Sequence, residues 1–138
     1  MAGPLARTPE RPVPVQGAGL SLRPYADSDV ADLLLAFADP EHKIDWDQGD
    51  AEVGYWVAPW ARGVGLAGRA VTAAAAYAFG ELSLHRLYLF HAVDNPGSCR
   101  VADAAGFPLE GVLRQSYRYR NGEYHDEHLH ARLATDPR

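Results

Sequence analysis

Val57-Ala58-Pro59-Trp60-Ala61-Arg62-Gly63-Val64-Gly65-Leu66-Ala67-Gly68 decides how the rest of this sequence is read. It lies between an apolar, strand-like run (Ala51 to Val57) and an alanine-rich, helix-like run (Leu66 to Phe79). A strand, a glycine-rich turn and a helix in that order aim the free amides of the helix's first turn at one point. Those amides and the helix dipole favour an anion there. Arg62, just before the glycines, adds a fixed positive charge. The stretch reads as a clamp for the diphosphate of a nucleotide-like cofactor. The plain alternative is a tight strand-to-helix turn that holds no ligand. A turn needing only positive φ would not need three glycines and an arginine together.

Gly63-Val64-Gly65-Leu66-Ala67-Gly68 also matches G-x-G-x-x-G, the dinucleotide fingerprint, but that match alone is weak. In a dinucleotide fold the first glycine follows its strand directly, whereas here Pro59-Trp60-Ala61-Arg62 intervenes. Such a fold needs several βαβ units, and this chain has room for about one. A kinase loop or a P-loop fits worse, because no lysine follows.

The wider composition narrows the class. With 138 residues, 47% hydrophobic and 22% charged, the chain is expected to be one soluble domain with a real core. A net charge of -5 argues against a general nucleic-acid binder. Tyr55, Trp56, Trp60, Tyr117 and Tyr119 accordingly read as packing rather than a base-stacking platform. Cys99 is the only cysteine, so no internal disulfide can form and a cytoplasmic location is expected. No apolar run approaches the roughly 20 residues of a membrane span. Met1 to Gly19 lacks the apolar centre of a signal peptide.

Taken in order, Met1 to Gly19 is rich in proline and glycine and is expected to be a disordered tail, with the folded domain over 20–134. Leu20 to Pro24 alternates like a short strand. Val30, Leu33, Leu34 and Phe37 recur at helical spacing behind the Asp27-Ser28-Asp29 caps, and Asp39-Pro40 stops that helix. Lys43 to Val57 reads as a hairpin around Gln48-Gly49-Asp50, with Glu52 to Val57 as its second strand. Leu66, Ala70, Ala73, Ala74 and Tyr77 line one helix face, which Gly80 could end. His85 to Val93 is an apolar strand. Asn95-Pro96 places a cap and a first-turn proline before a short helix ending at Gly106. Gly111 to Arg120 and Glu123 to Leu133 are two strands joined by Asn121-Gly122, a strong hairpin signal. The result is a mixed α/β domain without internal repeats.

These residues carry a family resemblance. Ala51 to Val57 followed by Arg62-Gly63-Val64-Gly65-Leu66-Ala67 resembles the fourth strand and acyl-CoA loop of the GNAT N-acetyltransferase superfamily. Asn95-x-x-Ser98-x-x-Val101-Ala102-x-x-Ala105-Gly106-Phe107 resembles its next helix, and Phe107 to Leu113 with the Asn121-Gly122 hairpin and Asp126 resembles its last strands. The combination is similar to the RimJ/RimL branch, which acts on ribosomal-protein N-termini. The resemblance implies a mostly antiparallel central sheet flanked by helices, with the fourth and fifth strands splayed around a pantetheine arm. It implies acetyl-CoA as cosubstrate. Trp56 and Val57 would contact the pantetheine through their backbones. The amides of Arg62, Gly63, Val64, Gly65, Leu66, Ala67 and Gly68 would hold the pyrophosphate.

Acetyl transfer to an amine by direct attack in a ternary complex needs a proton acceptor, an oxyanion donor and a proton for the leaving thiolate. Glu52 is the candidate base, and the resemblance supports it; the plain reading is a solvated strand charge. The backbone N–H of Val57 could serve the oxyanion. The resemblance makes Ser98 the candidate thiolate proton donor; otherwise it is an ordinary first-turn serine. Asn95 reads as a helix cap, although family members also use it toward the cofactor arm. Cys99 has no histidine or base motif beside it in sequence and reads as packing. In His125-Asp126-Glu127-His128-Leu129-His130, Asp126, His128 and His130 would share a strand face, so a metal site is geometrically open. The simpler account is a final strand without metal.

The sequence departs from the family between the first helix and the fourth strand, where several tens of residues shrink to Pro40 to Asp50. That piece helps wall the acceptor site. An exposed or unusual sheet edge is therefore expected, which favours a homodimer or another covering partner. The alternative to an active enzyme, acting on a protein N-terminus or a small-molecule amine, is a catalytically impaired acyl-CoA-binding or interaction module.

Overall fold

A computed structural model describes residues 15–17, 20–22, 44–55, 63 and 65–137. The helix expected over Val30 to Phe37 lies outside the described residues, as do Trp56, Val57, Arg62 and Val64. Of the expected tail, Val15–Gly17 forms a strand (β1) paired antiparallel with Leu20–Leu22 (β2), so the tail expectation does not hold at those three residues. Nothing in the described sequence of β1 explains the pairing beyond its short apolar alternation.

Next come β3 (Ile44–Asp45), β4 (Asp50–Glu52), α1 (Leu66–Gly80), β5 (Arg86–Ala92), α2 (Pro96–Ala104), β6 (Leu109–Arg118) and β7 (Tyr124–Leu133). The main sheet runs β3-β4-β5-β7-β6. Among the described residues only the β4–β5 contact is parallel. This is the mixed, mostly antiparallel sheet that the resemblance implied. Among the described residues no helix is long and apolar enough to cross a membrane.

β5 shows why the core forms where it does. Its burial alternates along Arg86–Ala92, with Leu87, Leu89 and His91 buried. A period of two sends those three to one face. α1 and α2 cover that face, contributing Val71, Ala75, Ala78 and Ala102 to a core completed by Leu84, Ala105 and Phe107. α1 is nearly all small side chains on its buried sides, so its backbone can approach the sheet closely. The backbone of the β1–β2 hairpin runs beside α1.

Two turns differ from the sequence expectation for local reasons. The β6–β7 connection is not a two-residue turn on Asn121-Gly122. Gly122 N–H donates to Tyr119 C=O (2.9 Å) and Tyr119 N–H donates to Glu123 C=O (2.8 Å). Gly122 has φ +88 but Asn121 is not left-handed, which gives a three-residue loop ending in a glycine bulge. The Asn121 side chain accepts from Glu123 N–H at 3.0 Å, stabilising that choice. The second hairpin strand expected to reach Val57 is shorter: β4 ends at Glu52, and one further bond, Val53 N–H to Tyr88 C=O (2.8 Å), closes the ladder.

β6 also carries a break. Its register slips between Leu113 and Tyr117, where Gln115 takes φ +49. A non-glycine residue pays steric strain in that region. Asp126 on β7 compensates: its carboxylate accepts the Gln115 N–H at 2.7 Å. Asp126 is thus a structural clasp for the bulge. Asp126→Ala should lower stability by about 1–2 kcal/mol in urea unfolding. Gln115→Gly in that background should recover part of the loss, because it removes the φ strain.

Candidate active site

The site is built where β4 and β5 part. They pair through Asp50–Arg86, Ala51–Leu87 and Glu52–Tyr88. Beyond Tyr88, β5 continues to Ala92 paired with β7, while among the described residues no ladder bond joins it to Gly54 or Tyr55. Among the described residues the β4–β5 pairing therefore ends at Val53 and Tyr88, the place where the resemblance implies an acyl-pantetheine slot.

Glu52 occupies the last position of β4 and is half-buried. The parallel register places it on the face that also carries Asp50, Arg86 and Tyr88, opposite to the helix-covered core. Burial pushes the Tyr88 phenol above its ordinary pKa, and the carboxylates of Asp50, Glu52 and Asp45 push it the same way. The face is thus a locally acidic surface around an aromatic ring. Arg86 offsets it in part but is engaged with Glu110, at 2.6 and 2.9 Å. That pair holds the Glu110 carboxyl below its ordinary pKa.

Ser98 lies on the other side of the opening, in the first turn of α2. Its N–H donates to Asn95 Oδ1 at 3.3 Å, so Asn95 caps the helix as expected. Pro96 at the start of the helix has no N–H to lose there. Tyr55, which the sequence reading treated as packing, comes to the same place. Its hydroxyl is buried and makes no hydrogen bond among the described residues. Burial raises its pKa, while the adjacent Ser98 side chain acts in the opposite direction and Cys99 adds to the rise. The Ser98 and Tyr55 side chains thus lie next to each other, just beyond the last β4–β5 bond at Val53. Tyr55 had no motif to mark it; only its proximity to Ser98 does. Glu52 is separated from both by the sheet, so an acyl group would have to thread the gap between the strands to meet all three.

The glycine turn divides by role. Gly63 and Gly65 are left-handed, with φ +86 and +71, and a Cβ at either would meet nothing within 4 Å. Backbone conformation, not space, therefore explains glycine at both. Gly68 lies inside α1, where an added Cβ would only touch Ala104 at 3.8 Å. Leu66 and Ala67 open α1, which has no side-chain cap at Gly65 and no acidic residue in its first turn. The first amides of a 15-residue helix are thus left for an outside acceptor among the described residues.

Cys99 is not the simple packing residue that the sequence suggested. Its Sγ is 3.2 Å from His128 Nδ1, 3.3 Å from His91 Nε2 and 3.8 Å from His130 Nε2. The histidines were invisible as companions because they lie 8, 29 and 31 residues away. The β5–β7 register sets His91 opposite His128 and Leu89 opposite His130. α2 then lowers Cys99 onto that face. Asp126, expected on one strand face with His128 and His130 where a metal site was geometrically open, is engaged with the Gln115 backbone. His91 is the residue the sequence reading missed; its signal was a histidine inside an apolar strand.

Comparison with known proteins agrees with this fold. Residues 42–108 match the family model described as the acetyltransferase (GNAT) domain. A Bacillus subtilis (strain 168) protein named as a candidate ribosomal N-acetyltransferase, YdaF, is 39% identical over 85 residues, covering 62% of this chain and 46% of its own. The ribosomal-protein-serine acetyltransferase of Escherichia coli (strain K12) is 37% identical over 83 residues, covering 60% and 46%. The dodecameric structure of spermidine N-acetyltransferase from Vibrio cholerae superposes with a TM-score of 0.62 at 33% identity, over 67% of this chain and 53% of that one. This chain spans about half the length of the curated relatives it matches. Residues 42–108 are thus similar to a GNAT acetyltransferase domain, and the fold described above is shared with solved GNAT-type acetyltransferases.

Because Asn95 holds the turn that presents Ser98, Asn95→Ala should cost about 1 kcal/mol of stability in urea unfolding, with Asn95→Asp close to the parent.

Proposed function

We propose that this GNAT-fold chain is an acetyl-CoA-dependent N-acetyltransferase that moves an acetyl group to a primary amine by direct attack in a ternary complex. The observation that carries this reading is the end of the β4–β5 ladder at Val53–Tyr88, with Ser98 and Tyr55 gathered at the opening. The backbone around Trp56 and Val57 would pair with the pantetheine, and the Val57 N–H would face the oxyanion. Arg62 and the amides from Gly63 through Gly68, with Val64 between, would hold the pyrophosphate at the uncapped start of α1. Asn95 supports the cofactor arm through α2, which it caps.

Glu52 takes the ammonium proton, directly or through one water, freeing the amine to attack. Ser98 returns a proton to the thiolate, and Tyr55, raised above its ordinary pKa, is a second hydroxyl in place to do so. The acidic surface of Asp45, Asp50 and Glu52 around Tyr88 favours a cationic acceptor. That suits both a protein N-terminus, as the ribosomal relatives' names indicate, and a polyamine, as the spermidine enzyme's does.

Calorimetric titration with acetyl-CoA, followed by thiol release over a panel of free-amine peptides and polyamines, tests the reading. Glu52→Gln should reduce turnover by about 100-fold or more while leaving acetyl-CoA affinity within about twofold. Equal turnover by the variant would remove Glu52 from the mechanism. Binding without thiol release from any amine would indicate an impaired acyl-CoA-binding module instead.

Self-association also fits. Among the described residues β6 is one of the two edge strands of the main sheet, and Leu109, Val112 and Tyr117 on it are exposed, as is Tyr124 beside it. A bare apolar edge invites a second copy. Sedimentation velocity should show a species larger than a monomer, and Val112→Lys should shift it toward monomer. A compact monomer at all concentrations would refute the association.

A further inference from the structure

From the geometry around Cys99 we infer that His91, Cys99, His128 and His130 form a binding site for one transition-metal ion of the zinc class, tying α2 to the β5–β7 ladder. The ligand atoms of these four residues all lie within 4.8 Å of one another. A tetrahedral zinc site with Zn–N near 2.0–2.1 Å and Zn–S near 2.3 Å has N···N edges of about 3.4 Å and N···S edges of about 3.6 Å. The His91 Nε2–His130 Nε2 separation is 3.0 Å, and the three distances from Cys99 Sγ run from 3.2 to 3.8 Å. Shifts of a few tenths of an ångström bring these four edges to the tetrahedron, and the two from His128 to the other histidines lie within 4.8 Å and close by rotation of the His128 ring.

The hydrogen bonds behind the rings make the case stronger. His91 Nδ1 is 2.8 Å from Ala92 O, and His130 Nδ1 is 2.9 Å from Phe107 O. A carbonyl oxygen can only accept, so each Nδ1 carries a proton, and each ring in its neutral form presents a lone pair at Nε2. Those two lone pairs then face each other at 3.0 Å in a buried place. They repel unless something positive lies between them. A single shared proton would satisfy this pair but would leave the convergence of Cys99 Sγ and His128 Nδ1 on the same point unexplained. One cation accounts for all four. An N–H donated to a backbone carbonyl is also how metal-bound histidines are ordinarily oriented.

The donor set selects the ion. Three imidazoles and a thiolate suit zinc or a similar borderline-soft divalent ion, and a set without oxygen donors does not suit calcium or magnesium. Four protein ligands make a closed, structural type of site. On binding, the Cys99 thiol forms its S–metal bond and releases its proton to solvent. The metal would act on α2 next to Ser98, fixing the turn that the acetyl-transfer reading uses, but the site stands on its own geometry.

The test uses the full chain, stripped with a chelator and titrated with Co²⁺ as a spectroscopic stand-in. One equivalent should bring the strong visible bands of tetrahedral cobalt together with a near-ultraviolet thiolate-to-cobalt charge-transfer band. One equivalent of Zn²⁺ should then bleach both. Cys99→Ser should abolish the charge-transfer band. His130→Gln should weaken affinity at least about 100-fold, beyond the cost of losing an outer-shell partner. His125→Gln, whose ring stacks on Tyr119 outside the cluster, should change neither. If the ligand variants fold poorly, the parent spectrum still decides. No cobalt uptake, an octahedral spectrum, or tetrahedral bands without the charge-transfer band would each overturn the site.

Discussion

Everything in this molecule hangs on the way β5 is shared. Its far edge is paired along its whole length with β7, whereas its near edge pairs with β4 for three residues and then stops. The long antiparallel side is an unbroken ladder that fixes which residues face the helices. The short parallel side leaves an opening whose backbone groups lack neighbours from the described part of β4. Rigidity on one side makes divergence on the other possible, because β5 does not need β4 to stay in place.

That asymmetry positions the chemistry. On the helix-covered face, alternation along β5 carries burial from Leu87 to His91, and Phe107 seals the core behind them. α2 packs on this face by its small side, Ala102, which brings Ser98 and Cys99 down onto the strands. On the other face, Glu52 sits beside Tyr88 in an acidic setting. A carboxylate and two hydroxyls thus stand on opposite sides of one sheet, and only the parted strands connect them.

Much of this was legible in the sequence because it is local. The extent of α1, the Asn95-Pro96 cap of α2 and the apolar alternation of β5 each follow from residues a few positions apart, and each has the predicted form. The β6–β7 hairpin was legible in place but not in turn type. Asn121 keeps negative φ by bonding its side chain to Glu123 N–H, a preference that the dipeptide alone does not reveal. What could not be read were juxtapositions across strands. Cys99 had no histidine beside it in sequence, yet three converge on it once β5 and β7 are in register. Tyr55 packs against the core as its sequence suggested, but its buried hydroxyl beside Ser98 could not be foreseen. Asp126 looked like a possible metal ligand and proved to be the acceptor that holds a left-handed Gln115.

The central claim is that the parted strands receive an acyl-pantetheine. The most direct measurement is a crystal structure of the full chain with acetyl-CoA. The account predicts the pantetheine arm between β4 and β5, the thioester sulfur within hydrogen-bonding reach of Ser98 or Tyr55, and the pyrophosphate on the first amides of α1. A cofactor bound elsewhere, or β4 and β5 zipped together past Val53 and Tyr88 with no ligand between them, would contradict it.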